Sequence, residues 1–571
     1  MTRYSRTSRL AAAFVFAALP AQLRASPRDE ALRVAPPDAA LVLVVQGARE
    51  HAAAVAKSPF AEWFPTSALG KQLSLAAHVR QFREASGPLF DALGVTPDDL
   101  VNDVFGEAVV FAYTPAPAGD PKGERAVVLV RPRKRETLAK LVARLNELQT
   151  GNDVKAVARR EYGGGAYYER RKTDGGAEFY CFCGPVFAFS VVEADVKAVI
   201  DRDRDAARDA PPAHAARLSK LGVTDAAAVL LVNPRPLDAE VRAKVAAAKP
   251  DEKPFLDRFG EAWSALDAAA VYVAVGAGLE AGVALDFRPA DLSPTARAWL
   301  TGARSPPALA AEIPDDALFT IAARFHAGET VAAVRSLLPE KGRKSLDAAL
   351  DDTLGAVVGR GRLPLVLDAL GPDWAAWAEP PAGAGFLPVV VGAVRVKAVG
   401  PRGKEAARAI ERAVSFGFQA AQVAYNATHA DQIETAETPD GDAVVTSLVN
   451  DAAFPPGVRP SFAFKGGYLV ASSSPDGVQR FRPPTADAVR PGEVVTARFS
   501  AAATRTYLLK HRAALATFAA NAGGTDKAEL LAQLDQVVAA LEAVEKVELV
   551  TRGSETGVRF AVRVKLTKPL K

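Results

Sequence analysis

Residues 255–287 read FLDRFGEAWSALDAAAVYVAVGAGLEAGVALDF, and residues 530–562 read LLAQLDQVVAALEAVEKVELVTRGSETGVRFAV. In the first stretch Phe255, Leu256, Phe259, Trp263 and Leu266 recur at helical spacing, which predicts an amphipathic helix. An apolar strand follows, then a turn at Gly276 and Gly278, then Val283, Leu285 and Phe287 in alternation, which predicts a β-hairpin. The second stretch places Leu530, Leu531, Leu534, Val538 and Leu541 in the helical slots, a turn at Gly553 and Gly557, and Val558, Phe560 and Val562 in alternation. Apolar slots stay apolar while the polar residues between them change. What recurs is a core and not a site.

Outward from this pair, the same landmarks appear twice in the same order. Pro36, Pro37 and Asp38 lead into a strand over 41–45, and Pro314 and Asp315 into one over 318–322. Helical periodicity over much of 48–104 corresponds to that over 326–370. Strands over 108–113 and 126–130, split by a Pro/Gly loop, correspond to 374–378 and 388–396. The next helix has Leu138, Leu141, Val142 and Leu145 on one face, and its counterpart Ala406, Ala407, Ile410 and Val414. Short strands then close in hairpins at Gly184–Pro185 and Gly466–Gly467, with Val196 and Val478 at one place in the following helix. A strand and helix over 227–248 match 494–521.

These landmarks predict a tandem duplication whose period, a whole domain, far exceeds that of a solenoid. The expected organisation is a signal over 1–25, a first unit over 26–290, a linker over 291–311 containing Pro294, Pro306 and Pro307, and a second unit over 312–571. The expected class is α+β: two tandem, internally duplicated domains of antiparallel sheets with helices packed on one face.

At the N-terminus, Arg3, Arg6 and Arg9 precede an apolar run over 10–19, followed by Pro20 and small residues up to Ala25, the order of a secretory signal. The run is shorter than the ~20 apolar residues that span a bilayer. The chain has 70 basic and 66 acidic residues, and residues 1–25 hold four arginines and no acid, so the remainder is balanced. A balanced chain has no global electrostatic reason to seek nucleic acid or anionic lipid. In its whole-chain arrangement, a secretory-type N-terminus followed by Pro-x-Asp-Ala leads into the strands of a repeated α+β unit, the chain resembles uncharacterised exported bacterial proteins with duplicated domains of unknown function. The resemblance implies export, to the periplasm or beyond, and no particular activity.

Few residues suggest chemistry. Cys181 and Cys183 lie two apart, hence on one face of a strand, while the second copy has Ala463 and Lys465 there. They read as two buried thiols, a redox-labile or disulfide pair, or part of a metal site. His51, His78, His214, His326, His429 and His511 are scattered, without metal-ligand spacing. Gly553, Ser554 and Gly557 do not form a nucleophile elbow, and no glycine-rich loop precedes a Lys-Ser/Thr. Asp440, Gly441 and Asp442 fit a plain turn better than a calcium loop. Trp374 and Trp377, near Pro380 and Pro381, are either an aromatic contact for a sugar or peptide or part of the core.

A repeated apolar pattern without a repeated polar set points to a non-catalytic exported binding or scaffolding protein of the cell envelope. Its expected partner is another envelope protein or an apolar ligand, with no cofactor, no nucleic acid and no transmembrane segment in the mature chain. The alternative is an envelope hydrolase with a carboxylate-based site, or a degenerate form of one.

Overall fold

The computed structural model describes residues 26–567 apart from 67–69, 72–86, 89, 118–122, 206–209, 303, 382 and 485–492. The secretory pattern over 1–25 and His78 lie outside the described residues. The first half contributes β1 (Leu41–Gln46), β2 (Ala108–Thr114), β3 (Arg125–Arg131), β4 (Val154–Tyr162), β5 (Gly165–Lys172), β6 (Ala177–Cys183), β7 (Val186–Ser190), β8 (Ala228–Val232), β9 (Leu266–Val275) and β10 (Gly278–Phe287). The second contributes β11 (Phe319–Arg324), β12 (Leu370–Glu379), β13 (Val389–Val396), β14 (Glu434–Asp440), β15 (Ala443–Val449), β16 (Ser461–Lys465), β17 (Tyr468–Ser472), β18 (Glu493–Ser500), β19 (Val544–Gly553) and β20 (Gly557–Leu566).

All twenty described strands join one sheet, and every pairing is antiparallel, which makes the fold α+β. In the first half the order is β4-β5-β6-β7-β3-β2-β1-β8-β9-β10. Beyond the β10–β20 pair it continues β20-β19-β18-β11-β12-β13-β17-β16-β15-β14. The second half thus retraces the first in reverse, and Gly282 opposite Ala561 marks the middle of the seam. Gly282 must be glycine: a Cβ there would press on the Phe560 carbonyl oxygen and sit 2.8 Å from the Tyr272 hydroxyl.

Small hydrogen bonds correspond as well. Ala39 N–H donates to Pro36 O and Ala317 N–H to Pro314 O, both at 3.2 Å. Ser190 Oγ accepts from Val192 N–H at 3.0 Å, and Ser472 Oγ from Ser474 N–H at 3.2 Å. Val196 and Val478, at the same place in the helix that follows, are both fully buried.

Strand alternation gives the sheet a packed face and an open face. On the packed face of the first half, Val42, Val110, Leu129, Leu231 and Ala270 meet α1 (Pro27–Val34), α4 (Glu193–Arg204) and α5 (Ala213–Lys220) through Leu32, Val196, Val199 and Leu218. Each fully buried leucine here contributes about 1.5–3 kcal/mol. The opposite face carries helices at its two flanks. There α3 (Arg135–Gln149) and the turn Leu100–Val104 cover Val128, Val130 and Phe187, with α2 (Ala48–Ala56) against that turn. In the second half α11 (Leu363–Ala369) and α12 (Gly400–Asn426) cover Val396, Phe464 and Leu469. The sequence expectation of helices on one face is therefore corrected. Apolar residues at both parities of β2, β3 and β13 leave two apolar faces, and each recruits helices.

Two helical hairpins, α6 (Asp238–Ala246) with α7 (Lys253–Ala265) and α14 (Ala501–Gly523) with α15 (Lys527–Ala540), link β8 to β9 and β18 to β19. Helices of the two halves meet: α7 touches α9 (Ala327–Leu337), which packs on α10 (Glu340–Leu350), and Pro59–Trp63 touches Leu541–Ala543. Strand directions put these two bridges at opposite ends of the central strands. Within the Pro-rich 291–311 stretch, α8 (Pro294–Gly302) seats Leu300 against Leu285 and Val558 of the seam.

Candidate functional site

The central open face is the largest candidate. The rows Phe111–Leu43–Leu230–Val271–Val283 and Val273–Ala281–Val562–Leu549–Ala497–Ile321 run across β2, β1, β8, β9, β10, β20, β19, β18 and β11. Of these side chains Val271 is 52% exposed, Ile321 and Val562 45%, and Leu43 40%; Phe319 lies beside them, also at 45%. Nine strands at about 4.8 Å spacing make a strip roughly 38 Å long. Phe111, Leu230, Val273, Val283 and Leu549 are exposed as well, and contiguous exposed apolar surface of this kind marks an interaction site. No charged side chain interrupts either row. Backbone groups of interior strands are paired within the sheet plane, so the strip presents hydrocarbon and no hydrogen-bond partners.

Trp374 borders this strip on the open face of β12. Its ring stacks on Phe325 at 5.0 Å, and its indole N–H donates to Phe325 O. Trp377, three residues on, points to the packed face, is buried and donates to Glu379 Oε1 at 2.7 Å. The two tryptophans thus lie on opposite faces of one strand and do not clamp a common ligand. Trp299 of α8 approaches the strip from the seam, 6.0 Å from the Phe560 ring.

The packed face near the seam is charged. Arg563 pairs with Glu280 at 2.9 Å and Glu493 at 2.7 Å, Arg552 pairs with Glu493 at 2.7 Å, and Lys546 with Glu548 at 2.6 Å. The Tyr272 hydroxyl donates to Glu280 Oε1 at 2.7 Å, and Arg559 lies 5.9 Å over the Tyr272 ring. Hydrogen bonds from Arg563 lower the Glu493 pKa. Burial pushes Glu280 up, but the Tyr272 hydroxyl and Arg563 outweigh it and its pKa falls. Burial and the Glu280 bond push the Tyr272 phenol up. These groups hold one another in their ordinary charge states, as an ion-pair lattice does and an acid–base pair does not.

Cys181 and Cys183 are free and buried on the packed face of β6, their sulfurs 2.9 Å apart. Two thiolates on one zinc, at ~2.3 Å each with tetrahedral angles, stand ~3.8 Å apart, so this spacing is too tight for a shared metal. Among the described residues no group of three or more His, Cys, Asp or Glu is placed to hold a metal ion. His214 is buried, with Nε2 2.7 Å from Pro36 O, and burial lowers its pKa. Asp440 pairs with Lys465 beside the β14–β15 turn, and Ser554 Oγ accepts from Gly557 N–H within the β19–β20 turn.

Two open recesses lie beside α6 and α14, one between the β2–β3 loop and α6, the other between the β15–β16 loop, Phe386 and α14. The one beside α14, about 720 Å³, is lined by Phe386, Phe454, Pro455, Ala514 and Phe518. The one beside α6, about 730 Å³, is lined by Thr114, Pro117, Arg125 and Glu240.

Sequence reasoning did not find the open strip. Its signal was present: 41–45 and 268–275 are apolar at both parities, which a strand covered on one face does not require. Among the described residues no helix is long and apolar enough to cross a membrane. No family model matches the chain, and no curated protein or solved structure matches it.

Proposed function

We propose that this chain is a non-catalytic binding protein of the bacterial cell envelope, and that the open face of its central strands holds an apolar ligand. The observation that carries this reading is the exposed strip from Phe111 to Ile321, uninterrupted by charge. Hydrocarbon suits it best. A peptide laid on a sheet face would bury N–H and C=O groups without partners, at a cost of about 1–3 kcal/mol each, while an acyl chain loses nothing there and gains ~0.8 kcal/mol per buried CH₂. Export is part of the proposal and rests on the pattern over 1–25. So is descent of the two halves from one duplicated unit, supported by the matched strand order and matched turns.

The carboxylate hydrolase is the weaker reading, since a general acid needs a raised pKa. Among the described carboxylates with displaced values, Glu50, Asp99, Glu169, Glu193, Glu280 and Glu493 all move down. Native mass spectrometry of the chain purified gently from its own host tests the proposal. A reproducible adduct of lipid mass is the expected result. A bare chain, or one holding another protein, contradicts a ligand carrier.

A further inference from the structure

The buried dithiol of β6 plays no part in apolar binding, and its surroundings are specific. Both sulfurs face the core side of one strand in contact with each other, and Cys183 immediately precedes the Gly184 turn. Residues two apart in a strand have Cα atoms ~6.5 Å apart, near the upper end of the ~4.4–6.8 Å that a disulfide spans. We propose that Cys181 and Cys183 are a redox modification site, a dithiol that closes reversibly to a strained disulfide within β6. Strain makes such a bond easily reduced, which distinguishes a responsive pair from a structural one. The Cys183 hydrogen bond, burial and the nearby Asp203 charge all raise the Cys181 pKa, which holds that sulfur as the unreactive thiol at rest.

Oxidised glutathione serves as electron acceptor. The Cys183 thiolate, less deeply buried than Cys181, attacks one glutathione sulfur and releases one glutathione thiolate. Cys181 then gives up its proton as it attacks the Cys183 sulfur of the mixed disulfide, displaces the second glutathione and forms the S–S bond. Two thiol protons and two electrons leave the protein, and two glutathione thiols result.

Closure has a route to the surface. Phe182, between the cysteines, points to the opposite face, where it packs 5.1 Å from Phe187 and carries Arg135 at 5.3 Å. Arg135, the first residue of α3, also donates to Gly184 O at 2.9 Å. Drawing the two Cα atoms together deepens the pleat at Phe182 and disturbs this exposed contact.

The test equilibrates the full chain with glutathione buffers of increasing oxidised fraction, alkylates it under denaturing conditions and measures intact mass. The expected result is conversion from two alkylated cysteines to none, with loss of two hydrogens, reversed by dithiothreitol. Two free thiols at every ratio, a lasting glutathione adduct or a disulfide-linked dimer would each overturn the proposal. Hydrogen exchange on the oxidised form gives a second readout. Protection should fall in β6, β7 and the first turn of α3 and stay unchanged in β12 and β13, whereas loss throughout the chain would mean that oxidation traps an unfolded form, and would overturn it too.

Discussion

On the packed face, Val42, Leu231, Ala270 and Ala284 form one row in the first half, and Thr320, Arg498, Glu548 and Arg563 form the corresponding row in the second. The first row ends against Arg559 and the second against Glu280, on opposite sides of Gly282 and Ala561. One backbone arrangement thus carries a dry row and a charged row. The described layers above the two rows differ as well. The first row is roofed by α1, α4 and α5. Over the second half's packed face the described cover is the short Ala308–Ala311 turn and α13 (Pro475–Arg480), which meet Trp377, Val391 and Val470 nearer β12 and β13. Arg498 and Arg563 of this row keep part of their side chains in water while Thr320 and Glu548 are buried, and its charges pair along the sheet, Arg563 with Glu280 and Glu493 and Glu548 with Lys546. Strand order does not require one kind of core: the pleat supplies positions, and the covering layer selects their polarity.

Exchanging residues between the rows should break this comparison most sharply. Leu231→Arg places an unpaired charge in a fully buried position and should cost about 4 kcal/mol or more, or prevent folding. The reciprocal Arg498→Leu loses a hydrogen bond to Pro314 O and should cost ~1 kcal/mol or less by denaturant unfolding. Equal costs would show that the two rows are not differently roofed.

Arg563→Ala leaves Glu280 and Glu493 without their shared partner. Because the site is partly open to water, the loss should be about 2 kcal/mol and not the larger cost of a dry ion pair. A double-mutant cycle with Glu280→Gln separates the pair from the packing.

Acid should act in two steps, first in the first half's core and then at the seam. Burial holds the folded His214 pKa below its ordinary value near 6.5. Its contribution to stability is therefore complete above pH ~6.5 and declines as pH falls toward the folded value. Glu280 and Glu493 at the seam are held below about 4.5, so theirs is complete above that pH and lost as acid passes through their folded values. Thermal unfolding should fall first below pH 6.5 and again below pH 4.5. His214→Gln should flatten only the upper step, since its amide still donates to Pro36 O.

The smallest effect on stability belongs to the open face. Val271→Asp and Val562→Asp each replace a half-exposed valine and should cost ~1 kcal/mol or less. A large loss from either would mean that the strip is core and not a binding surface.

Much of this architecture was legible in the chain. Phe255, Phe259 and Trp263 do form one helical ladder, their rings 6.5 and 5.8 Å apart, and the hairpin after them is β9–β10. Turns at Gly184, Gly466 and Gly553–Gly557 sit between paired strands. What local pattern could not supply was pairing between distant strands. Nothing in 125–131 names 186–190 as its neighbour, nor 278–287 names 557–566, because antiparallel strands with apolar faces are chemically interchangeable until a sheet assembles. The strip was hidden for the same reason: Val271 and Leu43 look like core until it is known that the helices settle at the flanks.

The most direct measurement is titration of the folded chain with a fluorescent long-chain fatty acid, followed by probe emission and by quenching of the strip-bordering Trp299 and Trp374. Saturable binding that weakens tenfold or more (about 1.4 kcal/mol) in the Val271→Asp, Val562→Asp double variant, with thermal stability nearly unchanged, is the predicted result. Absence of binding, or equal affinity in that folded variant, would contradict an apolar ligand on the open face.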